Sequence, residues 1–266
     1  MKTLPLLGLA ACWLLSTDSL GQAQPTGSPV IIQTRPFANA ELPKNYKPEI
    51  VPVYFLLGTL SDYMGRFQYV EREKQVDRYY PYEKPLARYL AAYAQQQLQL
   101  KVDTTFEQSG HGRLDSPALA NMLNQYYNSR GMLTDSLFRT EAQLNSFLLG
   151  NYYRYGRKLS EKVYKIQLAN TQKGRLLAAL LQRAGCDRIL FKFLHNIPAQ
   201  TIFYFEPTPV LKRYLDSIEA EQHKLHEAFI TQVMNMLSLG KEKELKQLEE
   251  LADYERKEAK TIEAAF

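Results

Sequence analysis

The chain of 266 residues carries 33 Lys and Arg against 28 Asp and Glu, a net charge of +5, with 45% hydrophobic and 23% charged residues. That balance excludes wholesale disorder, and 2 cysteines in a chain of this length exclude a disulfide-stapled scaffold. The basicity is local: residues 151–175 hold 7 Lys or Arg against Glu161 alone, whereas 241–266 carries more acidic than basic side chains.

Lys2 is followed by an apolar run from Leu4 to Leu15 and by small residues at Gly21 and Ala23. This pattern predicts a signal peptide over 1–23 and export to a periplasmic or extracellular location, with outer-membrane association as one form of it. Leu9-Ala10-Ala11-Cys12 reads alternatively as a lipoprotein box, in which Cys12 would carry lipid. Residues 24–50, with Pro25, Pro29, Pro36, Pro43 and Pro48, predict an extended proline-rich tether. Residues 51–266 then read as a single helical domain.

Pro52 suits a first helical turn, and Leu56, Leu60, Met64, Phe67 and Val70 recur at helical spacing. Pro81 and Pro85 start a second helix through Leu86, Leu90 and Tyr93. Residues 101–115 read as a polar loop. Ser116-Pro117 opens a helix that Gly131 stops, and Thr134 caps the next. Its stripe runs Leu137, Leu144, Leu148, Tyr152, Tyr155, Leu159, Val163, Ile166, with Gly150 and Gly156 as weak points. Leu176 to Ala184 forms a nearly all-apolar helix ending at Gly185, and Asp187 caps a short one through Phe193. Residues 196–209 look extended. Thr208-Pro209 begins a long helix through Met236, and a charged final helix follows Gly240. No repeat of fixed period stands out. The expected fold is all-α, a bundle of six or seven helices.

The segment 151–165 reads in two ways. Tyr152 and Tyr155 fall on the apolar stripe, while Tyr153, Arg154, Arg157, Lys158, Tyr164 and Lys165 fall elsewhere on the helix. They are either a solvated face or a tyrosine–arginine ridge that binds an envelope protein or an anionic lipid or glycan surface. Nucleic acid is not expected as a partner of an exported chain. The final helix offers a weak apolar seam to a second copy.

Candidates for chemistry are sparse. Glu219, His223 and His226 share helical spacing that could gather them around an ion, although interhelical hydrogen bonding is the default reading. His195, Glu206 and Asp187 surround the extended stretch and could serve a small hydrolase-like enzyme with a site over 187–206. Cys186 reads as a buried hydrophobe. No phosphate loop, dinucleotide fingerprint or serine-nucleophile motif occurs, and no cofactor is expected.

Two patches, "RYYPYEKPLARYL" at 78–90 and "TQKGRLLAALLQRAG" at 171–185, resemble a domain of unknown function found in exported bacterial proteins. The resemblance implies an envelope location and an all-α fold, and it brings no activity. The sequence thus predicts an exported, non-catalytic protein that works by contact, with the hydrolase-like enzyme as its alternative.

Overall fold

The computed structural model describes residues 32–33, 42–43, 45–68, 70–195, 197–237 and 241–266. The predicted signal peptide, Cys12 and most of the tether lie outside them. Eight helices are seen: α1 (Pro52–Thr59), α2 (Lys84–Leu98), α3 (Pro117–Asn124), α4 (Glu141–Tyr155), α5 (Lys173–Arg183), α6 (Pro209–Asp216), α7 (Glu219–Leu237) and α8 (Lys241–Ala265). The strands are β1 (Ile32–Gln33), β2 (Gln75–Tyr79), β3 (Asp103–Phe106), β4 (Gly112–Asp115), β5 (Gly156–Lys158), β6 (Tyr164–Ala169), β7 (Arg188–Leu194) and β8 (Gln200–Phe205). They form two antiparallel sheets, ordered β2-β4-β3 and β1-β7-β8-β6-β5.

The all-α expectation is therefore wrong, and each miss has a local cause. Asp62, Met64 and Gly65 all have positive φ, which ends α1 well before Val70. At Gly156 the backbone turns extended, and a Cβ there would strike the Tyr152 backbone, so the long stripe breaks into β5 and β6. Within β6, "YKIQLA" alternates apolar and polar, so Tyr164, Ile166 and Leu168 enter the core while Lys165 and Gln167 face the other way. Short apolar runs fit both periods, and pairing decided between them. The short helix expected after Asp187 is strand β7, and the expected 101–115 loop is the β3–β4 hairpin.

Two halves of the chain repeat one pattern. α1, β2, α2, β3, β4, α3 correspond to α4, β6, α5, β7, β8, α6. In both, the first strand and the second pair antiparallel on either side of the third. The sequence carries the same signal: "FLLG" stands at 55–58 and again at 147–150, and Tyr63 and Tyr155 each follow their glycine by 5 residues. Ser116-Pro117 and Thr208-Pro209 open α3 and α6 equivalently, each hydroxyl accepting from the backbone N–H 3 residues on.

The halves meet helix to helix at those glycines. A Cβ on Gly58 would lie 2.9 Å from Gly150 Cα and against the Phe147 carbonyl; one on Gly150 would lie 3.0 Å from Gly58 Cα and against the Phe55 carbonyl. Reciprocal contact between equivalent positions is the mark of a twofold interface, here enclosed in one chain. α1 is apolar nearly all round and is buried from Tyr54 to Thr59, so it lies at the centre of the core.

α8 lies on the outward face of the larger sheet. Its Ile262 and Phe266 pack with Val163, Leu190, Ile202 and Tyr204. Glu258 accepts from Lys165 Nζ at 2.7 Å and from the Tyr204 hydroxyl at 2.6 Å. Glu255 pairs with Arg157. Of the seam offered to a second copy, Ile262 is used within the chain. Among the described residues no helix is long and apolar enough to cross a membrane.

Candidate functional site

The carboxyl ends of α1 and α4 point into a cavity of about 550 Å³ between the two sheets, roofed by α7 through Gln222, Leu225, His226 and Phe229. Its floor is ionic and self-contained. Arg154, with a side chain 2% exposed, spends all of its N–H groups internally. Nε and Nη2 fork onto Glu83 at 2.7 and 3.0 Å; Nη1 reaches Asp77 at 2.7 Å and the Thr59 carbonyl at 2.8 Å; Nη2 also donates to the Arg78 carbonyl at 2.9 Å. Its guanidinium lies 4.8 Å from the Tyr79 ring centroid and 5.3 Å from that of Tyr155. Burial pushes the Asp77 carboxyl up, but Arg154, Arg66 and the Ser61 hydroxyl outweigh it and hold it below its ordinary value.

A second cage lies under α1. Lys173 Nζ sits 3.1 Å from Asp62 and donates to the carbonyls of Leu57 at 3.0 Å and Leu60 at 2.5 Å, capping the helix where its dipole is negative. The Tyr127 hydroxyl also donates to the Asp62 carboxylate, 2.8 Å from Oδ2 and 3.0 Å from Oδ1. Burial lowers the Lys173 pKa, with Asp62 opposing.

Above these ions two walls are uncharged, while Arg78, Glu107, Arg113 and Arg157 complete the lining. One is aromatic: Tyr80 stacks on Tyr82 with centroids 5.7 Å apart, Tyr82 meets Phe229 edge-on at 5.0 Å, and His226 stacks beyond Phe229 at 6.4 Å. Burial and then Glu83 push the Tyr80 hydroxyl up to about 12, so it remains a neutral donor. His226 is pushed down to about 4 by burial and then by Arg157, so it is neutral at pH 7. The opposite wall is carboxamide: Gln167 donates to Gln200 across the larger sheet, and Gln222 of α7 donates to the Gly156 carbonyl. Tyr63 and Tyr155, equivalent in the two halves, both line the space.

The residues singled out in the sequence are placed differently from expectation. Tyr153 is buried against Phe55 and Tyr89, Tyr164 is buried with its hydroxyl on Asp216 at 2.8 Å, and Lys165 is buried on Glu258. Arg154 is the floor of the cavity and Arg157 its edge, while Lys158 pairs with Glu161 at 2.9 Å. The ridge expected over 153–165 does not form, because helix gives way to strand at Gly156. His223 is exposed beside Glu227, and Glu219 lies 3.9 Å from Lys158. Of the suggested ligand trio only His226 reaches the cavity, and among the described residues no cluster of three His, Cys, Asp or Glu side chains could hold an ion. Asp187 and His195 bracket strand β7, which at about 3.3 Å per residue separates them by roughly 25 Å. Glu206 lies at the Asp187 end, its N–H donating to Arg188, so these three do not converge. Cys186 is buried as expected. Sequence reading missed Asp77, Glu83, Tyr80, Tyr82, Gln167, Gln200 and Gln222; the repeated "FLLG" and the tyrosine after each copy were the signal that marks their neighbourhood.

No family model and no curated protein matches the chain. Among solved structures, full-length DUF199/WhiA from Thermatoga maritima aligns over 80% of this chain and 70% of its own, at 15% identity and a TM-score of 0.41. I-DmoI in complex with DNA and Ca aligns over 64% of this chain and 87% of its own, at 14% identity and a TM-score of 0.36. Scores this low assign no function to this chain. The sequence-based exclusion of nucleic acid rested on the expected export, which falls on residues outside the described ones, and it is withdrawn. The envelope contact protein expected from the sequence falls with its ridge.

Proposed function

We propose that the protein binds a small molecule in the cavity between its two repeats, stacked on Tyr80, Tyr82 and Phe229 and hydrogen-bonded by Gln167, Gln200 and Gln222. The observation that carries this reading is the division of labour in the cavity. The ions of its floor are consumed by one another, and above them neutral aromatic and carboxamide groups face a volume typical of ligand sites, with Arg78, Glu107 and Arg113 also in the lining.

The test is a thermal-shift screen of the full chain against a small-molecule library, with Leu225→Trp as the filled-cavity control. A ligand at a hundred times its Kd stabilises the folded chain by about 2.7 kcal/mol, a shift of several degrees. The expected result is at least one compound that raises the Tm of the native chain and leaves Leu225→Trp unmoved. Compounds that shift both proteins equally would overturn the reading.

A further inference from the structure

The cavity has a second zone at its mouth. Arg78 of β2 and Arg113 of β4 are direct cross-strand partners, and both line the cavity. Like charges in direct register destabilise an antiparallel pair. Arg113 is compensated in part: its Nε donates to Asp115 at 2.7 Å, and its Nη1 lies 3.4 Å from Glu71, a carboxylate that Lys74 also engages at 2.5 Å. Arg78 is exposed and among the described residues its guanidinium makes no hydrogen bond or ion pair; Glu71 feels its charge from a distance, and Glu107 lines the same cavity. His111 stands beside the pair, its ring 6.0 Å from that of Tyr80. A local rule of sheet pairing is broken here, at the entrance to a neutral aromatic chamber. Such breaks concentrate where a ligand supplies the missing partner.

Resting on the small-molecule reading above, we infer that the ligand is a nucleotide. Its heterocyclic base stacks among Tyr80, Tyr82 and Phe229, its edge meets the glutamine carboxamides, and its phosphate bridges Arg78 and Arg113 at the mouth. Aromatic side chains stack bases irrespective of sequence, glutamine matches the donor–acceptor edge of adenine, and the arginine fork fits phosphate oxygens. The floor cannot compete for these roles, since Arg154 has no free N–H and Lys173 is sealed beneath α1. A free nucleotide and the unpaired base of a strand offer the same chemistry.

Isothermal titration of the full chain with adenosine 5′-monophosphate, adenosine, ribose 5-phosphate and a short oligodeoxyadenylate tests the assignment. The monophosphate is expected to bind about tenfold more tightly than adenosine, and ribose 5-phosphate not measurably. Arg78→Gln should bring the monophosphate down to the adenosine level and leave adenosine unchanged. Tyr82→Leu should weaken both, and where that variant fails to fold, Leu225→Trp replaces it. Oligodeoxyadenylate binding that Arg78→Gln weakens supports the assignment with the base in a strand; binding of the monophosphate alone supports it with the free nucleotide. Equal affinity for adenosine and its monophosphate, or monophosphate binding untouched by Arg78→Gln, overturns it. If no nucleotide binds while another compound still depends on an open Leu225, this inference fails and the cavity reading survives; if no compound binds at all, both fail.

Discussion

The two halves of the molecule share a plan and diverge in what they do with it. In the second half β6, β7 and β8 are joined by β5 and β1, and α8 covers the outward face. In the first half the sheet has 3 strands, and residues 61–68 and 70–74 run irregularly before β2, with Asp62, Tyr63 and Arg66 lining the cavity. The regular half supplies the carboxamides of Gln167 and Gln200 and the cations Arg154 and Lys173; the irregular half supplies the rings of Tyr80 and Tyr82 and the carboxylates of Asp62, Asp77 and Glu83 that those cations pair. Departure from the repeated plan, rather than the plan itself, locates the chemistry.

The comparison can be broken most severely at Arg154, the side chain of the second half that locks the charges of the first. Arg154→Met should cost about 3–5 kcal/mol in urea denaturation, because Asp77 and Glu83 would be left ionised and buried without a partner. Next comes the seam between the halves. Gly150→Ala places a methyl against the Phe55 carbonyl and Gly58, and should cost about 3 kcal/mol, with loss of protection at both helices in hydrogen exchange.

A smaller effect lies in the roof. A histidine whose folded pKa is depressed from 6.5 to about 4 binds fewer protons folded than unfolded between those values. His226 therefore contributes stability that is present above pH 6.5 and lost as pH falls toward 4. His226→Gln should flatten the decline of Tm across that window, and an unchanged decline would show that the buried carboxylates alone set it. The smallest effect sharpens the glycine argument. A Cβ at Gly174 would meet only Thr201 at 3.6 Å, ordinary contact, so Gly174→Ala in α5 should raise stability by about 0.5 kcal/mol where Gly150→Ala lowers it.

Much of the helical scaffold was legible. Ser116-Pro117 and Thr208-Pro209 announce their helices through a hydroxyl cap and a proline, and both form. The strands were less so, because in "RILFKFL" and "YKIQLA" the apolar residues satisfy a stripe of three and four as readily as an alternation of two. What decided was partnership with β8, a long-range fact. The cavity was legible only through its hinge points, the two copies of "FLLG" and their tyrosines. Asp77 and Glu83 look in sequence like surface carboxylates, and only the arrival of Arg154 from more than 70 residues away makes them a floor.

The reciprocal glycine crossing has a consequence for anything that enters the chamber. Two identical subunits meeting in that way would offer a guest two equivalent poses, turned end for end. Because both copies of the unit are threaded into one polypeptide, they need not match, and one wall carries rings where the other carries amides. The guest then has a front and a back, and the protein can tell them apart.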